Sequence, residues 1–303
     1  RGEDYALIME KVACDLREAI CDAKERLGYS NIVLAGWSGG GSLMMWYQAL
    51  AEAGAGISDT AAGDPYTVAA SRLPAASSIM MLAAHVSRHR IFTEWLDPSI
   101  SDESQPNLRD VQLNLYDAGN PNQPPYSADF LERFAQAQVA RNRRITAWVK
   151  EKLAVIRSSD SPWSEFAFTV HGTMADPRWL DPSIEPSDRK AGSCYLGDPQ
   201  IVNDGPVGLA RFCTLRSWLS QWSYDDARCD AIASGSRISV PVLVIGNSAD
   251  DACTPSHTQR LYDAVTHEQK HLHVVKGATH YYTGANGAEH MAEACGVIEK
   301  FLA

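Results

Sequence analysis

The chain has 303 residues, 45% of them hydrophobic, which is enough apolar side chain for one large core or two modest ones. A formal net charge of −10 argues against nucleic acid or an anionic membrane as partner, because both reward a basic surface. No stretch is long and apolar enough to span a bilayer, and Arg1-Gly2-Glu3-Asp4 does not begin a signal peptide.

The first element is a helix over 4–27, with Ala6, Met9, Val12, Ala13, Leu16, Ile20 and Ala23 at helical spacing and Gly28 as its stop. The nearly unbroken apolar run Asn31-Ile32-Val33-Leu34-Ala35 predicts a buried parallel strand. Helical spacing resumes after Gly41 with Leu43, Met44, Tyr47 and Leu50, and ends near Gly54. The segment that follows is rich in Ala, Asp, Gly and Pro and reads as a surface loop. Ser78 to Ala84 is a second buried strand, and Pro241 to Ile245, closed by Gly246, a third. A helix is expected from about Ser256 to Val265, a fourth strand over His271 to Val275, and an amphipathic helix from about Ala288 to Leu302. Strands alternating with helices imply a mostly parallel α/β sheet with helices on both faces.

Between the second and third strands lie residues of different character. They hold Pro-rich connectors, an amphipathic stretch over 128–155 and six of the eight tryptophans: Trp95, Trp148, Trp163, Trp179, Trp218 and Trp222. The hexamer from Trp95 to Ile100 is echoed from Trp179 to Ile184, and reads as two similar Trp-anchored turns. Two copies do not make a solenoid. The domain division expected is a core part over 1–87, an inserted, mainly helical lid over 88–235, and a second core part over 236–303. The seven cysteines are scattered, odd in number and without a C-x-x-C pair, so free thiols in a reducing, cytoplasmic compartment are expected rather than disulfides or a zinc site.

The chemistry centres on Gly36-Trp37-Ser38-Gly39-Gly40. A G-x-S-x-G pentapeptide is weak alone, but between a buried strand and an amphipathic helix it predicts a sharp, strained turn that holds the Ser38 hydroxyl clear. The helix starting just after Ser38 turns its free N–H groups and positive dipole end toward the reacting oxygen. A nucleophilic serine needs a base, and the base needs an orienting acid. Asp250 and Asp251 follow the third strand and His280 follows the fourth, so both loops emerge at the carboxyl edge of the sheet, as Ser38 does. Asp250 is preferred to Asp251 from its position relative to Gly246. His85, at the end of the second strand, is the rival base; without an acid on a late loop it is assigned instead to the substrate pocket, with Trp37 and Trp95. Arg141, Arg143 and Arg144 read as a solvated helix face rather than a carboxylate site.

On these residues the chain resembles the α/β-hydrolase superfamily, and its lidded esterase and lactonase branch in particular. The resemblance rests on Gly36 to Gly40, on Pro241 to Gly246 through Asp250 and Pro255, and on Lys276-Gly277-Ala278-Thr279-His280. It covers roughly 1–87 and 236–303. It implies a lid over the active site after the strand ending near His85. It also implies that the strand before Ser38 is the fifth of eight, so the first strands are missing from this chain and with them the second oxyanion-hole donor. Only the Gly39 N–H remains, and the missing portion is expected either as a separate N-terminal polypeptide completing the sheet or as sequence preceding Arg1. The activity implied is hydrolysis of a carboxylic ester or lactone through an acyl-enzyme, and the six lid tryptophans, with Trp37 beside the nucleophile, suggest a fairly bulky apolar small molecule as substrate. No metal or other cofactor is expected, nor any nucleic acid or membrane partner. The same triad also supports C–C bond hydrolysis, amide cleavage or acyl transfer to an alcohol. A non-catalytic hydrolase-fold binding protein is the reading from another class.

Overall fold

The computed structural model describes residues 6–69, 72–160 and 162–303. Arg1-Gly2-Glu3-Asp4 and the start of the helix expected over 4–27 lie outside them, as do two residues of the expected surface loop. In chain order the elements are α1 (Met9–Glu25), β1 (Val33–Trp37), α2 (Gly39–Glu52), β2 (Ile57–Asp59), β3 (Pro65–Val68) and β4 (Ser78–Leu82). They continue with α3 (Arg88–Trp95), α4 (Ala128–Ser158), β5 (Ala167–Thr169), α5 (Pro177–Leu180), α6 (Pro199–Asp204), β6 (Phe212–Thr214) and α7 (Leu215–Ser217), then a π-helical turn over Trp218–Trp222. The last are α8 (Ala231–Gly235), β7 (Val242–Asn247), α9 (Pro255–Ala264), β8 (Lys270–Val275) and α10 (Gly287–Leu302).

Two compact units result. The sheet unit comprises Met9–Arg88, Glu185–Lys190 and Cys229–Ala303. The segments 185–190 and 229–235, assigned on sequence to the lid, are thus counted with the sheet. The physical reason for the second is visible in α8, whose Ala231 is buried among Met45, Ile79, Met81 and Val244. The other unit comprises the described residues up to Ile8, His89–Ile184 and Ala191–Arg228.

The main sheet is parallel throughout, in the order β1-β4-β7-β8. Every residue of β7 is buried and β4 is nearly so, as their continuous apolar runs require. The outer strand β1 alternates, with Ala35 and Trp37 exposed, so it is not the fully buried strand its sequence predicts. The stretch read as a surface loop contains the antiparallel pair β2–β3. Ile57 and Val68 of that pair are buried with Trp46 and Tyr47, a contact that the surrounding Ala, Asp and Gly residues masked.

In the other unit, four of the six tryptophans (Trp95, Trp179, Trp218 and Trp222) form its own core. The repeated hexamer makes two like turns. Asp97 Oδ1 accepts from the backbone N–H and hydroxyl of Ser99 at 3.0 and 2.6 Å, and Asp181 Oδ1 does the same for Ser183 at 2.9 and 2.6 Å. The tryptophans that open the hexamers, Trp95 and Trp179, pack together with ring centroids 5.4 Å apart.

Arg141 does not belong to a solvated face. It is buried, forks onto Glu103 at 2.9 and 2.6 Å, and donates to the carbonyls of Asp97, His171 and Gly172. Arg143, by contrast, meets Asp225 in solvent. Arg141→Met is therefore expected to destabilise the protein by about 3 kcal/mol or more, since it strands buried acceptors. Arg143→Met should stay within about 1 kcal/mol of wild type. Urea denaturation of both variants checks the contrast.

Candidate active site

Ser38 joins the end of β1 to the first turn of α2 with φ 50° and ψ −118°. A non-glycine residue at positive φ is costly, about 1–3 kcal/mol, and persists only where its surroundings hold it. Here the Ser38 N–H donates to Leu82 O at 3.1 Å, while its carbonyl accepts from Gly41 N at 3.2 Å and His85 N at 3.4 Å.

The glycines divide sharply in what they permit. A Cβ on Gly36 would lie 2.6 Å from the backbone of Gly40 and Gly41, and one on Gly41 would lie 2.4 Å from the Ala84 Cβ. A Cβ on Gly40 would meet open space. The close approach of strand and helix thus depends on Gly36 and on Gly41, which lies outside the pentapeptide. Gly39 opens α2, where backbone N–H groups lack intrahelical acceptors, and its outer side is covered by His85 Nε2 and Arg88 Nη2.

At the ends of β7 and β8, His280 Nδ1 and Asp250 Oδ2 are 2.8 Å apart and both residues are buried. A carboxylate can only accept, so Nδ1 donates in this bond, and a neutral imidazole held this way has its lone pair on Nε2. Asp250 Oδ1 is fixed in turn by the backbone N–H groups of Ala252 and Cys253 at 2.8 and 2.7 Å. The partner of His280 is thus Asp250. Asp251, its neighbour, has its carboxyl pushed up to about 6, first by burial and then by the adjacent Asp250 charge.

Several bonds lock the two loops together. Ala249 N donates to Ala278 O, Asn247 Nδ2 to Thr279 O at 2.9 Å, and Gly277 N to Ser248 Oγ at 2.7 Å. Ser248 Oγ itself donates to Asp188 at 2.5 Å. Nearby, Glu185 accepts from Ser256 N and from the Thr254 and Ser256 hydroxyls at the start of α9. These bracing residues carry no motif; only an unusual density of small polar side chains around Asp250 marks them in the sequence.

Cys253 connects the pieces. Its Sγ lies 3.9 Å from Ser38 Oγ, and within 4.8 Å of one ligand atom each of Asp250 and His280. Sequence reasoning passed over this thiol, since nothing in its spacing marks it. Trp37, partly exposed, stands edge-on to His280 and Tyr282 at 6.1 and 5.7 Å. Tyr281, more exposed, is 4.7 Å from the His280 ring. His85 is buried beside Gly39, while Trp95 lies in the other unit, packed on Trp179 and Tyr195. Of the remaining histidines, His257 is buried and accepts from Val86 N, and His273 pairs with Glu293.

A parallel sheet in this order, a strained serine between strand and helix, and an acid and a histidine following the last two strands together settle the architecture. The fold is an α/β-hydrolase fold. Solved structures similar to the chain include a monoacylglycerol lipase from Paleococcus ferrophilus, at 15% identity and a TM-score of 0.41 over 95% of this chain and 74% of that one. Others are the alpha/beta hydrolase GrgF from Penicillium sp. sh18, at 12% identity and 0.48 over 98% and 72%, and an esterase domain from a Rhodothermus marinus protein, at 11% and 0.40 over 94% and 67%. No protein-family model and no curated protein sequence matches the chain.

Gly36→Ala should destabilise this hydrolase fold by about 1–3 kcal/mol, because backbone stands where its Cβ would go. Gly40→Ala should stay within about 1 kcal/mol of wild type. Thermal melts of the pair measure the difference. Asp251 gives a pH signature. Its folded-state pKa is raised, so the native state holds the proton more tightly than the unfolded chain does. Ionising it costs stability that is not lost near pH 4 and is fully lost above about pH 6. Asp251→Asn should therefore gain on wild type by about 2 kcal/mol as pH rises from about 4 to 7, measured by urea denaturation at each pH.

Proposed function

We propose that the protein is a serine hydrolase that cleaves a carboxylic ester or lactone of a small molecule through an acyl-enzyme. The observation that carries this reading is the buried His280–Asp250 pair, set beside a serine held at positive φ on the same sheet edge. Ser38 Oγ attacks the carbonyl carbon and passes its proton to His280 Nε2. Asp250 holds the Nδ1–H tautomer and stabilises the imidazolium that forms. The N–H of Gly39 donates to the developing oxyanion, aided by the positive end of α2. Collapse of the tetrahedral intermediate expels the alcohol, protonated by His280, and leaves the acyl group on Ser38. His280 then takes a proton from water, which attacks the ester and releases the acid.

The partly exposed rings of Trp37 and Tyr281 beside His280 favour an apolar group on the substrate. The four core tryptophans of the other unit lend no support to this, because they are buried in that unit's own core, Trp95 on Trp179 and both Trp218 and Trp222 on Phe92. Seven free thiols favour a reducing, cytoplasmic compartment. Among the described residues no helix is long and apolar enough to cross a membrane.

A fluorophosphonate probe followed by peptide mass spectrometry tests the assignment. Wild type should carry the label on Ser38 and Ser38→Ala should carry none. His280→Ala should slow hydrolysis of a p-nitrophenyl ester by about 10²–10⁴-fold. A folded wild type that takes no label would instead mark a binding protein on a hydrolase scaffold.

A further inference from the structure

The acyl-transfer chemistry gives no role to the buried Cys253 thiol. It is not isolated. One ligand atom from each of Asp250, Cys253 and His280 lies within 4.8 Å of the other two, and all three residues are buried. Thiolate, imidazole and carboxylate are the ligand types that zinc takes. Bond lengths of about 2.0–2.3 Å at a tetrahedral centre put such ligands roughly 3.3–3.7 Å apart. Movements of about 1 Å would bring this set to that geometry. The Ser38 hydroxyl, 3.9 Å from the thiol, or a water can supply the fourth donor.

We propose that Asp250, Cys253 and His280 form an inhibitory site for a soft divalent cation, with zinc the best match to the ligand set. The thiol proton leaves to solvent as the metal–sulfur bond forms, and no electrons are transferred. An imidazole engaged by the metal cannot accept the Ser38 proton, and a carboxylate engaged by it no longer orients the imidazole. The cation therefore silences the nucleophile without touching substrate. Cys253 sets this sensitivity, since Ser38, His280 and Asp250 suffice for acyl transfer. The inhibitory consequence rests on Ser38 being the nucleophile; the binding of the metal does not.

The test uses the full chain, stripped with EDTA and titrated with zinc chloride against a chromogenic zinc chelator. Fluorophosphonate labelling of Ser38 is followed in parallel. One equivalent of zinc should bind, and labelling should fall at least about tenfold and return on adding EDTA. Cys253→Ser and Cys253→Ala should each weaken zinc binding by about 100-fold or more and remove the difference between labelling with and without zinc. Two substitutions guard against one that disturbs packing, and the comparison is made within each variant. Zinc that fails to reach one equivalent, or that suppresses labelling equally in both variants, overturns the proposal. A metal-free wild type that takes no label sinks the hydrolase reading alone, and the chelator titration still decides the metal site.

Discussion

Ser38 occupies a backbone conformation that L-residues avoid, and the site is arranged around keeping it there. Its N–H is held by β4 and its carbonyl by the first turn of α2 and the segment after β4. Those bonds form only because β1 and α2 approach closely at Gly36, and because Gly41 lets the helix rest on Ala84. The turn is thus a packing constraint in its own right. Because β1, β4 and β7 are parallel, the carboxyl ends that carry Ser38 and Asp250 lie on one edge.

The acid and histidine loops show a second level of control. Asp250 is buried and spends one oxygen on two backbone N–H groups, so its other oxygen has one direction left, toward His280. The loops are tied to each other through Asn247, Ser248 and Ala249, which keeps the imidazole from swinging independently of its acid. Beside it, half-burial and the adjacent Asp250 charge push the Asp251 carboxyl up to about 6. The Cys253 thiol, 3.9 Å from Ser38 Oγ and close to both Asp250 and His280, gives the same site a ligand set that chemistry on an ester does not need.

The regularity of the fold was legible because burial leaves a period in the sequence. β4 and β7 are continuous apolar runs and were found as such, as were α4, α9 and α10 from their helical spacing. The order of Ser38, Asp250 and His280 pointed to the site because the loops of a parallel sheet share one edge. The hairpin β2–β3 escaped notice because its strands are three and four residues long, too short to show a period. Arg141 departs from its sequence expectation for a different reason. A charged residue on an amphipathic helix looks solvated until its carbonyl partners at Asp97, His171 and Gly172 arrive from distant parts of the chain.

By itself, then, the sequence determined the buried strands and the serine turn, since each is written locally in hydrophobic period or turn chemistry. Only the tertiary structure decided which of two adjacent aspartates turns to His280, because that depends on where two backbone N–H groups and one buried imidazole converge. It alone showed that the close approach of strand and helix needs Gly41 and not Gly40, since the space around a Cα is set by the neighbouring strand. It alone placed Cys253 beside Ser38, 215 positions away in the chain, where no spacing rule reaches.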